Sequence, residues 1–165
     1  MTIANELLSE LERESRATRR LLERVPADKL EWRPHEKSMT LRDLAWHVAT
    51  IPGRIPKMVA GGTFDVTKAR PATAPTDLTN FADVLDQSVA EAKAILGTLD
   101  DEAIRQPFTM TRGSDVISSM PRVAALRAIM LNHSYHHRGQ LTVYLRLLDV
   151  LLPATYGSSA DERPV

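Results

Sequence analysis

The residues of this 165-residue chain best suited to chemistry are its five histidines: His35, His47, His133, His136 and His137. Three of them crowd into HSYHHRGQ, residues 133–140. His133 and His137 stand four apart, the spacing at which a helix projects two side chains from one face, one turn above the other. A single helix offers two imidazole nitrogens to one metal ion in this way. His136 is turned from His137 by about 100 degrees, although His133 and His136, three apart, form an alternative pair. His47 lies in another amphipathic segment, on the seam Leu44–His47–Ile51, and faces inward by the same periodicity. Two imidazoles from one helix and a third from another suit zinc, nickel or iron and leave a coordination position open. An open position marks a metal that binds or transforms a ligand rather than one that only staples a fold.

The competing reading is that these are core histidines satisfied by ordinary hydrogen bonds. That reading fits a lone His47 well. It fits the pair less well, because two imidazoles buried on one stripe are costly without partners. Ser134 stands where an HExxH motif has glutamate, so a zincin-type base is absent. Asp43, one turn before His47, reads as a helix cap, and the sequence identifies no general base. Gln140 sits at the edge of the histidine face, placed to support a ligand from behind. Gly139 in mid-helix costs ~1 kcal/mol against alanine, which predicts close packing inside the bundle or across a dimer. Arg138 is expected to face solvent or a partner.

Composition removes other chemistries. The chain has no cysteine, which excludes disulfides, thiolate metal sites, iron–sulfur clusters and a cysteine nucleophile. Twenty-one Lys and Arg balance 21 Asp and Glu, so there is no general electrostatic drive toward nucleic acid or an anionic membrane. The N-terminus lacks an apolar signal region and no apolar run approaches a membrane span. The expectation is a soluble, cytoplasmic protein. No P-loop or GxGxxG is present.

The elements that must position the histidines follow from periodicity and punctuation. A first amphipathic helix runs from Ile3 to Val25 and is stopped by Pro26. Its Arg16, Arg19, Arg20 and Arg24, interleaved with Glu10, Glu12 and Glu23, read as a solvated face. Trp32 anchors the connector that follows. Thr40 with Asp43 three residues on starts a second helix, in which Pro52 and Pro56 are expected to force a kink or break before Gly61-Gly62 ends it. Residues 63–77 read as a long loop. A third helix spans from Thr79 or Asn80 to Leu96. Residues 97–118 show strand-like alternation around Arg112-Gly113, consistent with a hairpin or extended loop. In the fourth helix Ser119 is the expected N-cap and Pro121 falls in the first turn. Leu126, Met130, His133, His137, Leu141, Tyr144 and Leu148 mark its buried stripe, and residues 153–165 read as an irregular tail. The fold class is all-α, a four-helix bundle with a long crossover loop, forming one domain over residues 1–165.

Three stretches carry a resemblance: LEWRPHEKSMTLRDLAWHVA at 30–49, HSYHHRGQLTVYLR at 133–146 and LPATYGSSADE at 152–162. With them the chain resembles the DinB/YfiT-like superfamily over nearly its whole length. The resemblance implies a four-helix bundle, a homodimer, and a divalent metal held by His47, His133 and His137, with His136 outside the ligand set. It also implies zinc or nickel, or else iron, and a low-molecular-weight thiol as co-substrate, since characterised relatives include transferases and isomerases that use bacillithiol, mycothiol or glutathione. The expected activity is that of a thiol S-transferase acting on a small molecule. The alternatives are hydrolysis by a metal-bound water and a non-catalytic metal- or ligand-binding role in stress response.

Overall fold

The computed structural model describes residues 2–69 and 73–163. Helix α1, Ile3–Leu22, opens on Thr2, whose hydroxyl accepts from the Asn5 N–H at 3.2 Å. Helix α2, Leu41–Ala60, opens as its sequence predicts: Thr40 accepts from the Asp43 N–H at 3.1 Å and donates its hydroxyl to the Asp43 carboxylate at 2.7 Å. Helix α3, Phe81–Leu96, is capped by Asn80. Helix α4 covers residues 122–147 in three consecutive parts: α-helical Arg122–Leu126, π-helical Arg127–Asn132 and α-helical His133–Leu147. Among the described residues, no helix is long and apolar enough to cross a membrane.

The prolines do not break α2. Pro52 and Pro56 are both buried within one continuous helix. Next to Pro52, the Gly53 N–H donates to Ser88 Oγ of α3 at 2.7 Å, and a Cβ at Gly53 would stand 3.0 Å from the Ser88 carbonyl oxygen. Close α2–α3 packing thus overrides the local penalty of the proline, as tertiary contacts commonly override propensity.

A small sheet is added to the bundle. Strands β1 (Thr63–Asp65), β2 (Pro107–Arg112) and β3 (Asp115–Pro121) lie in the order β1-β2-β3. The parallel β1–β2 pair requires a crossover, and α3 supplies it. The segment read as a loop from 63 therefore begins with a strand and a 3-10 turn, Val66–Lys68; its residues 70–72 lie outside the described residues. The hairpin expected near Arg112-Gly113 is present, with Gly113 at φ 61° in the turn. It runs further than expected. Ser119 pairs with Thr109 in the sheet and caps no helix; α4 starts at Arg122, whose N–H is taken by the Gln106 carbonyl at 2.9 Å.

The π segment shifts the phase of α4. Each i→i+5 turn takes in one residue more than an α-turn, so the buried stripe passes from Leu126 and Met130 to Leu131, then to Arg138, Leu141 and Leu145. Tyr144 and Leu148, expected in that stripe, are only partly buried. Arg138 is correspondingly inside, 4% exposed, where solvent or a partner had been expected. Its guanidinium donates to Glu14 Oε2 at 2.9 Å, to the Glu14 carbonyl at 3.1 Å and to Thr18 Oγ1 at 3.3 Å. The Tyr156 hydroxyl joins both Arg138 and Glu14.

The tail is irregular but docked. Asp149, at φ 57°, turns the chain after α4, and the Val150 N–H returns to the Leu145 carbonyl at 3.0 Å while Asp149 bonds Arg146 at 3.1 Å. This is a Schellman closure with aspartate in the usual glycine position. Leu152 and Ala154 are then buried, Arg20 of α1 and Arg24 just after it pair with Glu162, and Arg146 pairs with Asp161. Part of the basic face of α1 thus holds the tail instead of facing solvent alone.

The Arg138–Glu14 pair supports a test. Replacing Glu14 by leucine leaves a buried guanidinium without its counter-charge and should destabilise the protein by about 3 kcal/mol in urea unfolding. The double variant Glu14→Leu/Arg138→Met should lose less than Glu14→Leu alone. An equal or larger loss in the double variant would show that the pair is not what the site requires.

Candidate metal centre

Two clusters of buried apolar side chains fill the bundle, one including Leu11, Ile51, Leu126 and Met130, the other Leu44, Val48, Leu85 and Leu141. The histidines sit where they meet. His47 lies on α2 between Leu44 and Ile51; His133 and His137 lie on α4 between Met130 and Leu141. The pair straddles the margin of the buried face, His137 inside it and His133 at its edge. His137 is 8% exposed, and His47 and His133 are half-buried. The site is therefore lined by protein on one side and open on the other.

The three rings converge. His133 Nε2 stands 3.2 Å from His47 Nε2 and 2.7 Å from His137 Nε2, and one ligand atom from each residue lies within 4.8 Å of the others. The outer edge of the His137 ring is tied down: its Nδ1 meets Gln140 Oε1 at 2.7 Å, as Gln140's place in the sequence predicts. A carbonyl oxygen accepts only, so this bond puts the His137 proton on Nδ1 and leaves a lone pair on Nε2. Nitrogens held tetrahedrally at about 2.05 Å from an ion stand about 3.3 Å apart. The His47–His133 separation matches this, the His133–His137 pair would open slightly, and the His47 and His137 ligand atoms lie within 4.8 Å of each other. The donor set fits a divalent metal.

Burial sets the protonation states. The His47 imidazole is pushed down to about 4, first by burial and then by the neighbouring His137, His133 and Arg54 charges. Burial also lowers His133 and His137, against the opposing effect of the Ile129 and Gln140 bonds. All three are neutral at pH 7, the form that ligates.

The remaining candidates fall outside the cluster. His136 is exposed, its ring 4.8 Å from that of His137. His35 is exposed in a turn, where its Nδ1 accepts from the Lys37 N–H at 3.1 Å. Asp43 caps α2. Gly139 is exposed, and a Cβ there would meet nothing within 4 Å, so close packing within the bundle is not its reason. Sequence reading missed two contributors. The Ile129 backbone group carries no residue-type signal, whereas Arg54, seven residues after His47 on the same helix, was available from periodicity.

The chain matches the DinB family over residues 1–163 and belongs to it. It is 28% identical over 159 residues to the uncharacterized protein YrdA of Bacillus subtilis (strain 168), covering 94% of this chain and 89% of that one. To the uncharacterized protein YjoA of the same organism it is 26% identical over 149 residues, covering 88% and 91%. Among solved structures, a DinB-like protein from Bacillus cereus ATCC 10987 aligns with TM-score 0.69 at 25% identity, over 91% of this chain and 95% of that one. The DinB-like YjoA of Bacillus subtilis aligns with TM-score 0.69 at 20% identity, over 96% and 99%. These likenesses confirm the mainly helical DinB-like fold expected from the sequence, with the three-stranded sheet as a minor addition.

The depressed histidine values predict how the metal-free protein responds to acid. Above about pH 6.5 the rings are neutral folded or unfolded and contribute no pH dependence. Below it the unfolded chain binds protons that the folded site refuses until His47 titrates near 4, so stability falls as pH falls. The urea midpoint should drop between pH 7 and pH 5, and His47→Gln should flatten that drop. An unchanged slope in the variant would remove His47 as its cause.

Proposed function

We propose that this protein binds a divalent metal ion, zinc or nickel ahead of iron, through the Nε2 atoms of His47, His133 and His137, and uses it as a metal-dependent thiol S-transferase. The observation that carries this reading is the convergence of the three Nε2 atoms, with the outer nitrogen of His137 held by Gln140. Three neutral ligands would leave a bound divalent ion its full double charge, which would favour a thiolate over a thiol and so its transfer to an electrophilic carbon, the thiol proton passing to solvent and the leaving group departing with the bonding pair. The chain's own part is to keep the imidazoles neutral and oriented and one side of the site open. Having no cysteine, it offers no competing thiol to the electrophile.

Hydrolysis through a metal-bound water would use the same open position. Among the described residues, the metal-ligating cluster contains no carboxylate, and Asp43 is occupied at its cap. A metal-bound hydroxide, like a thiolate, would attack without such a base, so hydrolysis stands as the second reading of the same site. We place this chemistry in the cytoplasm, where small thiols stay reduced. We further propose a homodimer through the exposed side of α4, where Val143 and Leu147, each 57% exposed, follow Gly139 at four-residue spacing.

Elemental analysis of tag-free protein tests the metal reading. Near-stoichiometric zinc, nickel or iron should be present in the wild type and in His136→Ala, and should be lost in each of His47→Ala, His133→Ala and His137→Ala. No metal after dialysis against divalent ions would overturn it. Thiol-dependent turnover of electrophiles supports transfer, and turnover without thiol supports hydrolysis. Sedimentation equilibrium tests the dimer: the wild type should be dimeric and Val143→Asp monomeric, while a monomeric wild type would refute it.

A further inference from the structure

Helix α2 carries His47, Ile51, Arg54 and Met58 at intervals of four, three and four, so Arg54 and Met58 continue the stripe that holds His47. Arg54 stands two turns along, about 10 Å in rise, and its charge acts on His47. There the last turns of α2 and strand β1 enclose a groove of about 440 Å³, lined by Arg54, Ile55, Lys57, Met58, Thr63 and Phe64 with Gly61. That volume is typical of small-molecule sites, ~300–1,000 Å³. Its floor is apolar: Ile55, Met58 and Phe64 pack against the buried cluster beneath. Its rim is cationic.

About half of the arginines of this chain pair with carboxylates, Arg19, Arg20, Arg24, Arg42, Arg138 and Arg146 among them. Among the described residues neither Arg54 nor Lys57 has one within ion-pair distance, nor do Arg16, Arg33, Arg105, Arg112, Arg122 and Arg163. Lys57 is in the last turn of α2, where a cation is favoured by the helix dipole. Arg54 lies before that turn, in a position where the helix end supplies no such reason. Among the described residues no carboxylate pairs with either rim cation; the Glu91 carboxylate lies beside Gly53, one residue before Arg54.

We propose that this groove is the binding site for an amphipathic organic carboxylate, the electrophilic substrate of the histidine centre. Its carboxylate pairs with the Arg54 guanidinium, with Lys57 adding longer-range attraction. Its carbon skeleton covers Ile55, Met58 and Phe64, and its reacting end points along the α2 stripe toward His47. The direction of the reacting end rests on the metal-dependent reading above; the recognition of the anion does not.

Calorimetric titration of the metal-free and zinc-treated full-length protein with 4-phenylbutyrate, its neutral amide and inorganic phosphate tests this, with zinc content measured in parallel. The acid should bind at least about tenfold more tightly than the amide, the gain expected of one charge-assisted hydrogen-bonded pair. Phosphate, which has charge but no apolar body, should bind at least about tenfold more weakly than the acid. Arg54→Gln should lose about tenfold for the acid and nothing for the amide, with zinc content and melting temperature unchanged, and Lys57→Gln should lose less. Equal binding of acid and amide, undiminished binding in Arg54→Gln, or no binding of the acid at millimolar concentration would each overturn the proposal. Acid binding through Arg54 in a protein that takes up no zinc would leave the groove standing and remove the metal reading. Zinc uptake without acid binding would do the reverse.

Discussion

Helix α4 must satisfy two demands whose phases do not agree. It has to seal the bundle with Leu126, Met130, Leu141 and Leu145, and it has to hold His133 and His137 where a third imidazole can reach them from α2. An uninterrupted α-helix carries one apolar stripe along one face, and histidines centred in it would be shut away from any substrate. The π-helical turns at Arg127–Asn132 resolve the conflict by shifting the register once, immediately before His133. The C-terminal part of the helix then buries His137, Arg138, Leu141 and Leu145 and leaves His133 at the edge. The same turns bring the Ile129 backbone to the His133 ring. Site orientation and site access thus come from one departure from α-geometry.

Burying Arg138 is the consequence of that shift, and the rest of the molecule is arranged around it. Its counter-charge, Glu14, comes from α1, and Tyr156 comes from the tail to bond both. The irregular C-terminal segment therefore serves as a strap across α1 and α4, held also by the pairs of Arg20 and Arg24 with Glu162 and of Arg146 with Asp161. Most of those ion pairs are partly exposed, and each contributes little singly. Together with buried Leu152 and Ala154 they fix the far side of the helix whose near side presents the histidines.

Charge gives the open side its character. The candidate ligands are neutral imidazoles held neutral by burial, and the adjoining groove carries Arg54 and Lys57 with no carboxylate paired to them among the described residues. The chain as a whole balances 21 positive against 21 negative side chains. Local surplus is what matters here, because clefts with low-dielectric walls focus the field of a few uncompensated charges. An anionic ligand, thiolate or carboxylate, suits both parts of such a site.

Much of this was legible in the order of residues. Helical periodicity and the cap at Thr40 gave three of the four helices closely, the i, i+4 pair with Gln140 three residues beyond gave the α4 half of the site, and the seam position of His47 gave the third imidazole. These are local properties, written in spacings of three and four, and local spacing is what a one-dimensional reading detects. What tertiary structure decided was everything that depends on neighbours distant in sequence. Pro52 and Pro56 remain in an unbroken helix because α3 packs against them, and Ser119 is drawn into a strand because Thr109 offers a partner. Arg138 goes inside because Glu14, 124 residues away, meets it there. The π turns have no residue-type signature at all. They arise where the apolar and histidine faces of one helix must both be accommodated, a conflict that exists only after the bundle has assembled.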